Sequence, residues 1–353
     1  MKDKISTNIY SNGINNRINT YNKREYWIDI ERVFACLMVI FCHSPQTYTI
    51  SSGQLLLGIN NYFGMAWGPI LFFMISGACV LGKDQQTIPF LKKRFSRILF
   101  PTLFWSIVYI LLQCFIWKTI PSTEVTQMFL MIPFYFQYGD LWFMYTLASI
   151  YLMVPILSPW LSRCSKKELE LYLTFWGITL LLPFLALFDD NVKQMSQING
   201  VFFYLSGFLW VAVLGFYCRY FINSFKISFY SILICSLILI SPLYIYIIKV
   251  STGITITSSL TINSIATTML AFIVIKNIRW SKKFQNIINI ISHCSFGIYL
   301  SHMLFLHPFN IWIAQYNLHY AIQIPLTTLV VSLCSFSFAY ILSKLPYGKY
   351  IIG

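Results

Sequence analysis

Residues 26–44 read YWIDIERVFACLMVIFCHS. The run is long and apolar enough to cross a bilayer, yet it carries Asp29, Glu31, Arg32 and His43. At 100° per residue, an α-helix places Asp29, Arg32, Cys36, Val39 and His43 within an arc of roughly 80°, with Glu31 well outside it. Asp29 and His43 then lie roughly 21 Å apart along the axis, and Arg32 and His43 roughly 16 Å. One face therefore presents an ion pair near one membrane surface and an imidazole near the other. Ionisable groups in hydrocarbon are costly, and they face a polar cavity or a partner. Charges at the end of a span also serve as interfacial anchors, with arginine snorkelling. Glu31 reads as such an anchor. Arg32 and His43 read as functional, because they share a face and span the helix.

The rest of the chain extends this reading. It has 353 residues, 57% hydrophobic and only 10% charged, and a mean hydropathy of +0.66. That composition excludes an ordinary soluble domain and points to an all-α, polytopic membrane protein. Apolar runs fall at about 27–43, 55–82, 98–117, 141–161, 171–188, 200–218, 227–247, 259–275, 287–307 and 322–343, which gives about ten transmembrane helices. With the N-terminus inside, only Lys118, Lys193 and Lys249 of the 25 Lys and Arg fall on the outer side. This positive-inside bias puts both termini in the cytoplasm and accounts for the net charge of +14 without nucleic acid. Residues 1–25 form a polar Asn/Lys-rich cytoplasmic tail, unlike the short n-region of a cleaved signal peptide. Residues 26–353 form a single transmembrane domain. Nine cysteines make no CxxC pair and read as small hydrophobes, and five histidines make no HExxH, so no metal is expected.

Further polar positions are spread along the runs. Gly64 and Gly68 have GxxxG spacing, which reads as helix packing, while Ser76 and Gly77 border a polar cavity. In LKKRFSRILFP (91–101), Arg94 and Arg97 share a helix face and offer paired guanidiniums to phosphates. Residues 119–140 form the longest outer segment, with MFLMIPFYFQ as an interfacial or re-entrant piece. Asp140 follows, beside Trp142, Phe143 and Tyr145; these aromatics form either a membrane-interface belt or a platform for a sugar. In ISHCSFGIYLSHMLFLHPF (291–309), Tyr299 and His302 fall in the outer half, with His302 at a depth similar to His43. His302 is either a packing residue or part of a site. His307 and His319 read as outer-surface residues, and His293 as an inner one.

An arginine pair inside and an imidazole outside suit acyl transfer from a phosphate-bearing donor to a hydroxyl. An imidazole can take the hydroxyl proton, typically worth 10²–10⁴-fold. The chain resembles the acyltransferase-3 family of integral membrane acyltransferases, and within it the O-acetyltransferases of surface polysaccharides such as enterobacterial common antigen. The resemblance is carried in order by YWIDIERVFACLMVIFCH with its Arg-x10-His spacing, LFFMISG (71–77), Arg94-x-x-Arg97 with Pro101, LWFMYTLASIYLMVPIL (141–157), FYLSG (203–207) and SFGIYLSH (295–302). It implies acetyl-CoA or another acyl-CoA as co-substrate, bound from the cytoplasm by Arg94 and Arg97, and it implies that Arg32 and His43 match the motif required for activity. The reading of the residues adds Ser76 to the donor site, Asp29 to the catalytic group, and Trp142, Tyr299, His302 and Asp140 as candidates for an acceptor glycan, surface or lipid-linked. The expected setting is the plasma (inner) membrane, with a homo-oligomer left open. The alternative of a different class is a transporter or flippase for a small molecule or lipid-linked glycan.

Overall fold

The computed structural model describes residues 25–45, 60, 63–186, 189–196, 200–222 and 260–353. Among them every regular element is helical and there is no strand. The longer helices are α1 (Tyr26–His43), α2 (Leu71–Val80), α3 (Thr87–Leu111), α4 (Val125–Met131), α5 (Trp142–Leu161) and α6 (Lys166–Thr179). After the single turn α7 (Leu182–Leu185) come α8 (Leu209–Tyr220), α9 (Ile262–Asn277), α10 (Gln285–Ala314), α11 (Tyr320–Lys344) and the short α12 (Lys349–Ile352).

Among the described residues, six helical stretches are long and apolar enough to span a membrane: Phe63–Val80, Thr87–Ile116, Gly139–Leu161, Lys166–Leu185, Lys282–Ala314 and Tyr320–Lys344. Helix α1 has the length as well, 18 residues, but carries Asp29, Glu31 and Arg32. Helices α8 and α9 are shorter apolar segments. The expected span at 227–247 and the tail at 1–24 lie outside the described residues, so the count of ten and the cytoplasmic termini rest on the sequence. The protein is a multi-pass helical membrane protein.

Two close approaches hold the centre together. A side chain on Gly64 would collide with Cys42, and one on Gly68 with Val39, so the GxxxG spacing does serve to seat this segment on α1. Where α2 meets α8 the contact is reciprocal: Gly77 lies on the backbone of Ala212, and Gly215 on that of Met74. The chain enters α2 through a π-helical turn at Ala66–Ile70, which contains Pro69. Pro69 has no N–H to donate to the helical ladder, and a widened turn is one way to absorb that loss.

Helix α10 packs on both α1 and α11, and makes the second wall of the interior. Its bonds to neighbours are specific. Cys36 Sγ reaches Ser295 O at 3.1 Å, Tyr109 Oη donates to Leu300 O at 2.6 Å, and Ser292 Oγ donates to Asp29 Oδ1 at 2.6 Å. Apolar side chains such as Leu99, Phe104, Leu171, Leu329, Leu333 and Ile341 stay exposed, as lipid-facing surfaces do. Helix α4 contains no buried residue: its Phe129 and Leu130 are exposed, as are Phe134 and Tyr135 just after it. That agrees with an interfacial placement of the 119–140 segment.

Candidate functional site

At the Arg32 end of α1 opens a cavity of about 560 Å³, within the roughly 300–1,000 Å³ span of small-molecule sites. Arg32, Arg94, Arg97 and Lys349 line it together with Ser76 and Ser292. Arg94 and Arg97 reach it from one helix face, as their spacing requires. The Arg94 guanidinium sits 5.6 Å from the Tyr151 ring and 5.7 Å from the Phe90 ring. Cation–π contact fixes its plane and leaves its donors for an anion. Arg97 is more exposed and stands nearer the rim. Lys349, one of the Lys and Arg that the positive-inside bias puts on the inner side, also lines the cavity. It is brought here by α12, which folds back against α3, with Trp105 Nε1 donating to Ile351 O at 3.0 Å.

Asp29 anchors this end and does not reach His43. It accepts from Ser292, lies 3.8 Å from the Arg32 guanidinium, and is itself buried. It therefore steers Arg32 toward the cavity and ties α1 to α10. Glu31 departs from the sequence expectation. In place of an interfacial anchor it is a fully buried carboxylate, and neither oxygen has a hydrogen-bond partner among the described residues. Lys276 and Arg32 are the nearby cations, and Lys276, like Arg219 beside it, has partners of its own. Arg219 donates to Ala78 O at 2.7 Å and to Glu25 Oε1 at 2.9 Å. Lys276 donates to Cys218 O, Arg219 O and Ile222 O at 2.6–2.9 Å. In the turn after α2, burial and then the neighbouring Arg219 push the Lys83 ammonium below the usual lysine range.

The other end of the cavity closes on Phe143, Leu147 and Tyr299. Tyr299 belongs to both the cavity and a polar cluster beyond it, because its hydroxyl donates to the backbone carbonyl of Asp140. That bond holds the turn Gly139–Leu141, which presents the Asp140 carboxylate to α1. Asp140 Oδ1 lies 3.1 Å from His43 Nε2, with both side chains partly buried. The His302 ring is 5.6 Å from that of His43, centroid to centroid. His302 is fully buried; its Nδ1 is 2.5 Å from Tyr299 O, and its Nε2 has no hydrogen-bond partner among the described residues. His43, Asp140 and His302 thus offer three ligand-type atoms within 4.8 Å of one another.

The structure therefore gathers the sequence candidates into two groups. Arg32, Arg94, Arg97 and Ser76 line the cavity, and His43, Asp140 and His302 cluster past Tyr299. Trp142 joins neither group. It packs against Phe208 at 5.2 Å and Phe73 at 6.1 Å between ring centroids, in an aromatic cluster beside Phe143. His307 packs against Trp117, with ring centroids 4.4 Å apart and the planes tilted by 40°, and is not part of the cluster. Sequence alone gave no reason to pair Asp140 with His43, since 96 intervening positions hide the contact. Likewise no metal-ligand spacing is visible in the chain, because the three residues come from three separate elements.

A family profile described as an acyltransferase domain (Acyl_transf_3) matches residues 25–344. No curated protein and no solved structure matches the chain.

Proposed function

Because the chain belongs to the acyltransferase-3 family of membrane acyltransferases, we propose that it moves an acetyl or other acyl group from acyl-CoA to a hydroxyl of a surface or lipid-linked glycan. The observation that carries this reading is the cavity itself. Four cationic side chains gather at one end, and Tyr299 at the other end is hydrogen-bonded to the residue that pairs with His43. Arg94, Arg97 and Lys349 suit the phosphates of CoA, with Arg32 deeper along the same wall. The roughly 16 Å of helix between Arg32 and His43 is a length that an extended pantetheine arm covers.

In this reading the acceptor hydroxyl approaches from the His43 side. His43 takes its proton as the oxygen bonds to the thioester carbonyl carbon, and the Asp140 carboxylate stabilises the imidazolium that forms. The tetrahedral intermediate collapses with cleavage of the C–S bond. His43 returns the proton to the departing CoA thiolate, so the enzyme ends as it began. Tyr299 positions Asp140, and Asp29 positions Arg32. The chain would sit in the plasma (inner) membrane with the basic mouth facing the cytoplasm. Surface-polysaccharide O-acetylation is the favoured chemistry, in keeping with the motif resemblance.

The test uses detergent-purified protein, acetyl-CoA labelled in the acetyl group, and glycan extracted from cells lacking the gene. Label transferred to glycan hydroxyls, and lost in His43→Ala, supports the proposal. Full transfer by His43→Ala would remove the assigned base. Label that never leaves CoA in the presence of any hydroxyl acceptor would remove the activity.

A further inference from the structure

We infer that His43, Asp140 and His302 form a binding site for one transition-metal dication, with Zn²⁺ as the ion of matching chemistry. Two imidazoles and a carboxylate are a donor set that divalent zinc, cobalt and related ions take, with three protein ligands and one position left open. The three ligand-type atoms lie within 4.8 Å of one another. A tetrahedral ion with bonds of about 2 Å holds its ligands about 3.3 Å apart. Asp140 Oδ1 and His43 Nε2 already stand at 3.1 Å, and the ligand atom of His302 lies within 4.8 Å of both.

The orientation of His302 is the independent observation. The ring is fully buried, yet Nε2 has no hydrogen-bond partner among the described residues. Leaving such a nitrogen unpaired in an apolar interior is costly. Its other nitrogen, Nδ1, lies against the Tyr299 carbonyl. A carbonyl only accepts, so Nδ1 carries the proton and Nε2 presents its lone pair. Ligating histidines are held in this way, with one nitrogen tied to a backbone carbonyl and the other turned toward the ion. Tyr299 organises the set twice over: its carbonyl fixes His302, and its hydroxyl fixes the Asp140 turn. His43 and Asp140 are each partly exposed, 22% and 17%, so the set is not sealed on all sides. With neutral imidazoles the set carries one negative charge, which favours a dication.

Metal binding requires only these three side chains and does not depend on the acyl-transfer reading. Its consequence does rest on that reading: a bound ion occupies the lone pair of His43, so Zn²⁺ should inhibit transfer.

The experiment uses the full chain in detergent, stripped with EDTA and exchanged into chelator-free buffer. Zn²⁺ is titrated calorimetrically and Co²⁺ by visible absorption, with thermal melts as a folding control. One ion per chain is expected, with Co²⁺ bands of a four- or five-coordinate nitrogen/oxygen site. His302→Ala should weaken binding by about 100-fold or more, Asp140→Asn by about 10-fold or more, and His307→Ala should leave it unchanged. If His302→Ala does not fold, His302→Gln and Asp140→Asn carry the test. The inference is overturned if the wild-type chain shows no saturable one-to-one binding. It is equally overturned if affinity is unchanged in a folded His302 variant and in Asp140→Asn. Acyl transfer measured in EDTA reports on the proposed function separately, so the failure of one is distinguishable from that of the other.

Discussion

The exchange Asp140→Asn isolates the electrostatic part of the proposed mechanism with almost no change in shape. Proton transfer to His43 creates a positive charge 3.1 Å from Asp140 Oδ1. A unit pair at that distance is worth roughly 1 kcal/mol at the permittivity of water and roughly 5 kcal/mol at an effective value near 20. Both side chains are mostly but not wholly shielded, 22% and 17% exposed, which places the pair between those limits, at about 3 kcal/mol. At about 1.4 kcal/mol per decade, kcat should fall by about 100-fold. The donor cavity does not include Asp140, so the Kd for acetyl-CoA should change by less than about 2-fold. The assay is single-turnover transfer of labelled acetyl to glycan in EDTA, alongside calorimetric binding of acetyl-CoA. Asp140→Glu, which keeps the charge, should recover part of the loss. A kcat within 3-fold of wild type for Asp140→Asn would refute the assignment of this carboxylate to the base. A large rise in acetyl-CoA Kd would show instead that the cavity had been disturbed.

Other expectations follow from the same geometry. Arg94→Ala should weaken acetyl-CoA binding by about 10- to 100-fold, the loss of one charge-assisted hydrogen bond worth about 1.5–3 kcal/mol. Arg97→Ala, nearer the rim, should weaken it less, and calorimetry with acetyl-CoA and with dephosphorylated analogues separates the two. Gly215→Leu should unfold or strongly destabilise the protein in a detergent melt, because the backbone of Met74 occupies the space of any side chain there. Glu31→Gln should be neutral or raise the melting temperature, since it removes a buried carboxylate whose oxygens have no hydrogen-bond partner among the described residues. A clear drop would mean that Lys276 or Arg32 depends on that charge.

The membrane class and the helical architecture were legible in the sequence, because a bilayer imposes length and hydropathy on each segment separately. The shared face of Arg32 and His43, the common direction of Arg94 and Arg97, and the packing role of Gly64 and Gly68 were legible for the same reason. They are properties of a single helix or a single interface. Glu31 was misread because its angular offset from the functional arc said nothing of what lay beside it; neighbouring elements bury it.

Pairings between elements were decided by the tertiary structure alone. Asp140 meets His43 because Tyr299 reaches across from α10 to hold the turn before α5. Lys349 reaches the cavity because α12 folds back onto α3, and Trp142 is drawn into a packed core with Phe73 and Phe208. The physical reason is one of range. Periodicity fixes which way a side chain leaves its own helix, whereas a site made of residues 43, 140 and 302 exists only once side-chain packing has set how those helices lie against one another.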